Sequence, residues 1–136
     1  MQLKKLTDEL SVTPQITVED VPELARLGYR SIIGNRPEGE APDQPAWELL
    51  AAEARRLGLE ARQIPVVPGQ IGDADVAAFG EALRDLPRPI AAFCRTGTRS
   101  AMLWALANPD DLSPEERLRI AAEQGYDLST LRARLT

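Results

Sequence analysis

The sequence predicts a single-domain α/β fold, a mostly parallel central sheet with helices on both faces. Two observations predict it. Strand-like and helix-like runs alternate from Leu10 to about Ala107 in the order βαβαβαβα, the pattern that folds into parallel strands joined by helical crossovers. The chain has 136 residues, 43% of them apolar, which suits one core, and no repeat, low-complexity tract or linker marks a second domain within residues 1–136.

Taken in order, Leu10-Ser11-Val12-Thr13 is the first strand, ended by Pro14. Thr17 or Asp20 can cap the helix that runs to Leu27; Pro22 prefers a first turn, which favours Asp20, and Gly28 ends the element. Tyr29 to Ile33 is a strand, and Gly34 to Gln44, with two prolines and two glycines, is a loop. From Pro45 to Leu57, the residues Trp47, Leu50, Ala51, Ala54 and Leu57 fall on one helical face, so both this tryptophan and Trp104 are expected in the core. Leu59 to Val67 is a strand interrupted in donors by Pro65, and Pro68 to Gly72 is a turn. Asp73 then caps a helix that turns Val76, Phe79 and Leu83 inward. Pro87 and Pro89 break the chain before the apolar strand Ile90 to Phe93. A helix from Ser100 to about Ala107 follows and stops at Asn108-Pro109. In the tail, Ser113-Pro114-Glu115-Glu116 is a capping box and Asp127 caps Leu128 to Leu135, giving two short helices.

In such a sheet, ligands bind beyond the carboxyl ends of the strands. Three loops share that crevice: Asn35 to Gln44, Val67 to Gly72, and Cys94 to Arg99. The last carries the only cysteine of the chain, in Cys94-Arg95-Thr96-Gly97-Thr98-Arg99-Ser100. One curl of this loop brings Arg99 back over the sulfur while the amides of Arg95, Thr96, Gly97 and Thr98 point inward as an anion cradle. Gly97 can take a left-handed backbone angle, and Ser100, at the start of the helix, can hydrogen-bond a thiolate or a departing group. Such surroundings bring a thiol from about 8.5 into the range of roughly 3.5 to 7.5 and make it a nucleophile. Cys94 and Arg99 are therefore the expected catalytic residues. Arg95 either joins the cradle or points to solvent. Asn35 and Arg36 follow a strand end and are expected at the same crevice as anion-binding residues, Arg36 being either a ligand for the far end of an anion or a solvated loop charge; Gln70 either offers its amide to the same ligand or braces its own turn.

Composition narrows the chemistry. A net charge of -5, few aromatic residues and no basic run argue against nucleic acid. With no histidine and one cysteine, zinc sites, disulfide frameworks and Cys-His pairs are excluded, so no metal and no cofactor are expected. The first residues, Met1-Gln2-Leu3-Lys4-Lys5, lack an apolar signal core, and no run reaches membrane-spanning length, so a cytoplasmic protein with no membrane partner is expected.

Cys-x-x-Gly-x-Arg-Ser resembles the active loop of rhodanese-type sulfurtransferases, whose cysteine carries a persulfide. The wider pattern, Val12-Thr13-Pro14-Gln15, Asn35-Arg36-Pro37, Ile64 to Gln70 and Cys94 to Trp104, resembles the phosphatase-like domain of beta-lactamase-hydrolase-like proteins. That resemblance covers about residues 1 to 108 and implies a dual-specificity-phosphatase-like fold. It also implies a setting in sulfide metabolism, because family members occur alone or fused to persulfide dioxygenases, a possible partner.

Two chemistries follow. Cysteine-dependent phosphatases place five residues between cysteine and arginine, usually with a histidine before the cysteine and an aspartate general acid on a preceding loop. Here the interval is four, Phe93 precedes the cysteine, and Val67-Pro68-Gly69-Gln70 stands where the acid is expected, with Asp73 and Asp75 read as helix-start residues. The shorter cradle and the missing acid favour a sulfurtransferase: Cys94 attacks a sulfane sulfur of a small anionic donor such as thiosulfate or glutathione persulfide, and an acceptor thiol or cyanide removes it. The alternative is a phosphatase that forms a phosphocysteine from a phosphoester. A non-catalytic anion- or persulfide-binding module is the third reading.

Overall fold

The computed structural model describes residues Met1–Thr136. It contains strands β1 (Lys4–Lys5), β2 (Leu10–Thr13), β3 (Ser31–Gly34), β4 (Glu60–Gln63) and β5 (Ile90–Phe93). The helices are α1 (Asp20–Arg26), α2 (Trp47–Arg56), α3 (Asp73–Asp85), α4 (Thr98–Ala107) and α5 (Pro114–Glu123), followed by a 3-10 helix at Ser129–Arg134. The strands form one sheet in the order β1-β2-β5-β3-β4, parallel except for β1, which pairs antiparallel with β2.

Alternation along the strands splits the core between the two sheet faces. Ile33, Ile90 and Ala92 join Phe79, Leu103 and Trp104 on the face covered by α3, α4 and α5. Ile32, Ala91 and Phe93 join Leu24, Trp47 and Leu50 on the face covered by α1 and α2. Both tryptophans are buried, as their helical spacing predicts. Each such large side chain contributes about 1.5 to 3 kcal/mol on full burial. Gly34 marks a close approach: a Cβ there would sit 2.6 Å from the Trp47 ring, which itself stacks on Phe93 with centroids 6.3 Å apart.

Several boundaries differ from the sequence reading for local reasons. β1 is a two-residue edge pairing, too short for any periodicity to reveal. Tyr29 and Arg30 lie outside β3, because the Tyr29 N–H turns back to the Leu24 carbonyl of α1. β4 is also shorter than expected, although Ile64 and Val66 still donate to Gly34 and Asn35 across the irregular step at Pro65. Asp20 and Asp73 occupy the first turns of α1 and α3, and neither is the N-cap residue. The Asp20 carboxylate accepts the Thr17 N–H at 2.9 Å, and Asp75 closes on the Gly72 N–H at 2.9 Å. Ser113 does cap α5, accepting the Glu116 N–H at 3.1 Å, while Asp127 leads into a 3-10 rather than an α-helix.

Strand register positions the site. Phe93 pairs with Thr13 on one side and Gly34 on the other, so β2, β3 and β5 end at one level. The next residues are Pro14-Gln15, Asn35-Arg36 and Cys94, and backbone bonds from Asn35 N–H to Phe93 and from Gln15 N–H to Arg95 fasten the three exits together.

Candidate active site

Cys94 leaves β5 fully buried, and the chain curls back so that the Gly97 N–H points at its sulfur, 3.1 Å away. Gly97 has φ of 92°, the left-handed region that favours glycine, and is the N-cap of α4. That is why the helix starts at Thr98, earlier than the expected Ser100. The positive end of α4 thus faces the sulfur.

Arg99 is buried and tightly held. Its Nη1 and Nη2 donate to the two carboxylate oxygens of Glu40, each at 2.8 Å, and Nη1 also donates to the Val66 carbonyl at 3.0 Å. A guanidinium has five N–H donors in a fixed plane. Those left over are Nε–H and the second Nη2–H, which share one edge of that plane and form a fork. Arg99 is also within electrostatic reach of Cys94; the Glu40 hydrogen bonds first, and then the Cys94 charge, raise its pKa.

Glu40 has a second arginine on it. Arg36 Nε donates to Oε1 at 2.9 Å and Arg36 Nη1 reaches Gln15 Oε1 at 3.1 Å. The hydrogen bonds from Arg99, and then those from Arg36 and both positive charges, outweigh burial and hold the Glu40 carboxyl at about 2.

The remaining expected residues divide into two groups. Asn35 and Ser100 come together, but on each other: Ser100 Oγ donates to Asn35 Oδ1 at 2.8 Å, and Asn35 Nδ2 donates to the Ile64 carbonyl at 2.9 Å. Both side chains are wholly buried, so they brace the loops, whereas sequence reasoning had placed them on the anion. Arg36 is likewise drawn to Glu40 and Gln15 and is not a free loop charge. Arg95, Thr96 and Gln70 are exposed. The Thr96 and Thr98 hydroxyls bond each other at 2.9 Å, and the Gln70 N–H closes its own turn on Val67.

Sequence reasoning missed Glu40, Gln15 and Tyr126. The first two lie in quoted segments, but nothing in their spacing links them to Arg99. Tyr126 comes from the tail and is buried, and its hydroxyl donates to the Thr96 carbonyl at 3.2 Å. Burial, and then the charge at Cys94, push its phenol up.

The model of the beta-lactamase hydrolase-like protein, phosphatase-like domain, matches residues 2–110. The chain belongs to this family. A beta-lactamase hydrolase-like protein of Xylella fastidiosa is 35% identical over 130 residues, covering 94% of this chain and 30% of that protein. The phosphatase-like domain therefore spans less than a third of the curated relative it matches. A solved structure described as a candidate phosphatase, from Neisseria meningitidis, is 32% identical with a TM-score of 0.87, covering 98% of this chain and 96% of that one. The catalytic domain of the PP-IP phosphatase SIW14 from S. cerevisiae superimposes with a TM-score of 0.71 at 19% identity, over 100% of this chain and 86% of that one, a likeness of fold. The phosphatase-like architecture that the cysteine loop and its flanking segments imply is thus the architecture of the domain. No helix is long and apolar enough to cross a membrane.

Proposed function

We propose that this phosphatase-like domain is a cysteine-dependent phosphatase acting on phosphoric monoesters. One observation carries the reading: two N–H donors of Arg99, Nε–H and one on Nη2, have no protein oxygen as acceptor, and Arg99 lies within electrostatic reach of Cys94, in a loop whose Gly97 N–H points at the sulfur. A planar fork suits two oxygens of a tetrahedral oxyanion such as a phosphoryl group, whereas the sulfane sulfur of an organic persulfide has no oxygens to meet it; thiosulfate does carry such oxygens, so the fork separates phosphoesters from persulfides and not from thiosulfate. The phosphatase-like neighbours support the same class. The order expected from the shorter cradle and the missing acid, sulfur transfer before phosphatase, is therefore reversed.

In this mechanism the Cys94 thiolate attacks phosphorus. The S–P bond forms as the bond to the leaving oxygen breaks, and the departing oxyanion takes a proton from water. A second water then attacks phosphorus, the S–P bond breaks, and inorganic phosphate leaves with the thiolate restored. Arg99 and the loop amides stabilise the equatorial oxygens in both steps.

Sulfur transfer is the second reading, favoured by the four-residue interval between Cys94 and Arg99. It would take an anionic persulfide donor and pair the domain with a persulfide dioxygenase. Rapid acid quench and mass analysis of Cys94 separate the two chemistries. The phosphatase reading expects a gain of one phosphoryl group during aryl phosphate turnover and no stable sulfur adduct competent for transfer. A transferable sulfur on Cys94 without phosphorylation would reject it. An anion-binding module without catalysis would show neither.

A further inference from the structure

We propose that Glu40 is the positioning residue of this site, holding the far end of Arg99 so that the guanidinium presents its remaining fork to the anion above Cys94. The inference rests on the phosphatase reading and gives that reading its specific geometry.

Two other roles are open to a carboxylate beside a substrate-binding arginine: a proton donor to the leaving group, or an internal anion that competes with substrate. The hydrogen bonds argue against both. A donor needs a carboxyl oxygen free to carry and release a proton. Here Oε2 accepts from Arg99, and Oε1 accepts from both Arg99 and Arg36. Protonation would set a hydroxyl against guanidinium donors, which is why the group stays ionised. A competing anion would take the edge of Arg99 that substrate needs. Glu40 instead takes the Nη1 and Nη2 end, and the Val66 carbonyl takes the other Nη1 proton, leaving the Nε edge open.

The support reaches across three strand exits. Gln15, after β2, holds Arg36; Arg36 and Glu40, both in the loop after β3, hold each other; Glu40 holds Arg99, after β5. Arg36 and Arg99 are both buried, so one carboxylate also lies between two guanidiniums that would otherwise repel each other in a confined space, and cuts their combined charge from two to one. Losing it costs orientation and leaves charge uncompensated. Arg36 is then a support for Glu40 and not a ligand of the substrate.

The test compares wild type, Glu40→Gln and Glu40→Asp on aryl phosphates of graded leaving-group basicity, with inorganic phosphate binding measured by calorimetry. Positioning predicts that Glu40→Gln lowers kcat/KM on the order of 10- to 100-fold by the same factor for every leaving group, and weakens phosphate binding. Glu40→Asp, which keeps the charge but shortens the reach, should fall between; it also carries the comparison if Glu40→Gln does not fold. A loss that grows with leaving-group basicity would make Glu40 a proton donor and overturn the proposal. Tighter phosphate binding in Glu40→Gln would make it a competing anion, and unchanged kinetics and binding would give it no role; each result also overturns it. A wild type that hydrolyses no aryl phosphate would sink the phosphatase reading alone, because the phosphate affinities still decide what Glu40 does for Arg99.

Discussion

Tyr126 sits against Gly97 so closely that a single methyl group on the glycine would collide with the phenol oxygen and lie 3.0 Å from the ring carbon that bears it. The same hydroxyl holds the Thr96 carbonyl. A tail residue beyond the segment matched by the family model thus fixes the loop that surrounds the sulfur.

Gly97→Ala is therefore expected to fail twice, through the left-handed backbone angle and through collision with Tyr126. The cost should be about 1 to 3 kcal/mol, with loss of most activity, since the N–H that points at Cys94 belongs to this residue. Tyr126→Phe keeps the ring and removes one hydrogen bond, for about 0.5 to 1.5 kcal/mol. Urea melts of the two variants check the order; a Gly97→Ala protein as stable and active as wild type would contradict the tight cradle.

The Glu40 carboxyl titrates at about 2 in the folded chain against an ordinary 4.5. Because the folded value is the lower one, the pairing stabilises the fold fully above 4.5 and is lost as pH falls from there through about 2. Other paired carboxylates also lose ground in acid, so the informative quantity is the difference from Glu40→Gln. Between about pH 5 and pH 2 the wild type should lose on the order of 3 kcal/mol more than the variant, read from urea melts at each pH. Parallel stability curves would mean that the two arginines do not hold Glu40 as described.

Asn35 and Ser100 share a buried hydrogen bond, and both Asn35 amide groups are engaged. Removing either side chain strands a buried partner, so Asn35→Ala and Ser100→Ala should each cost about 1 to 3 kcal/mol. The double variant should cost less than the sum of the two. Additive losses in a thermal or urea cycle would separate the pair.

Arg99→Lys tests the fork itself. An ammonium keeps the charge but cannot bond Glu40 at two points and also offer a planar pair to the anion. Steady-state kinetics on an aryl phosphate should show kcat/KM down by roughly 100-fold or more, the scale on which transition-state donors act. Near wild-type turnover would mean that charge alone suffices.

What could be read from the sequence follows a physical division. Ile90 to Phe93, the glycine at 97 and the α2 face anchored by Trp47 are local signals, and each ends up in the expected element. The meeting of Cys94 with Arg99 is local too, because one loop contains both. Glu40 was invisible because its role is set by register, the shared level of Thr13, Gly34 and Phe93, which no single segment encodes. Ser100 and Asn35 were assigned to the anion for the same reason: without knowing their distance, two polar residues near a crevice look like ligands when they are partners. Asp20 and Asp73 show a smaller ambiguity, since a carboxylate in the first helical turn and one at the cap have the same sequence signature.

The most direct measurement is turnover of an aryl phosphate by wild type and Cys94→Ser, with sulfur transfer from thiosulfate to cyanide and from glutathione persulfide followed in parallel. Phosphate release by wild type that disappears in Cys94→Ser, with sulfur transfer at background, is the predicted result. Sulfur transfer dependent on Cys94 without phosphate release would contradict the account.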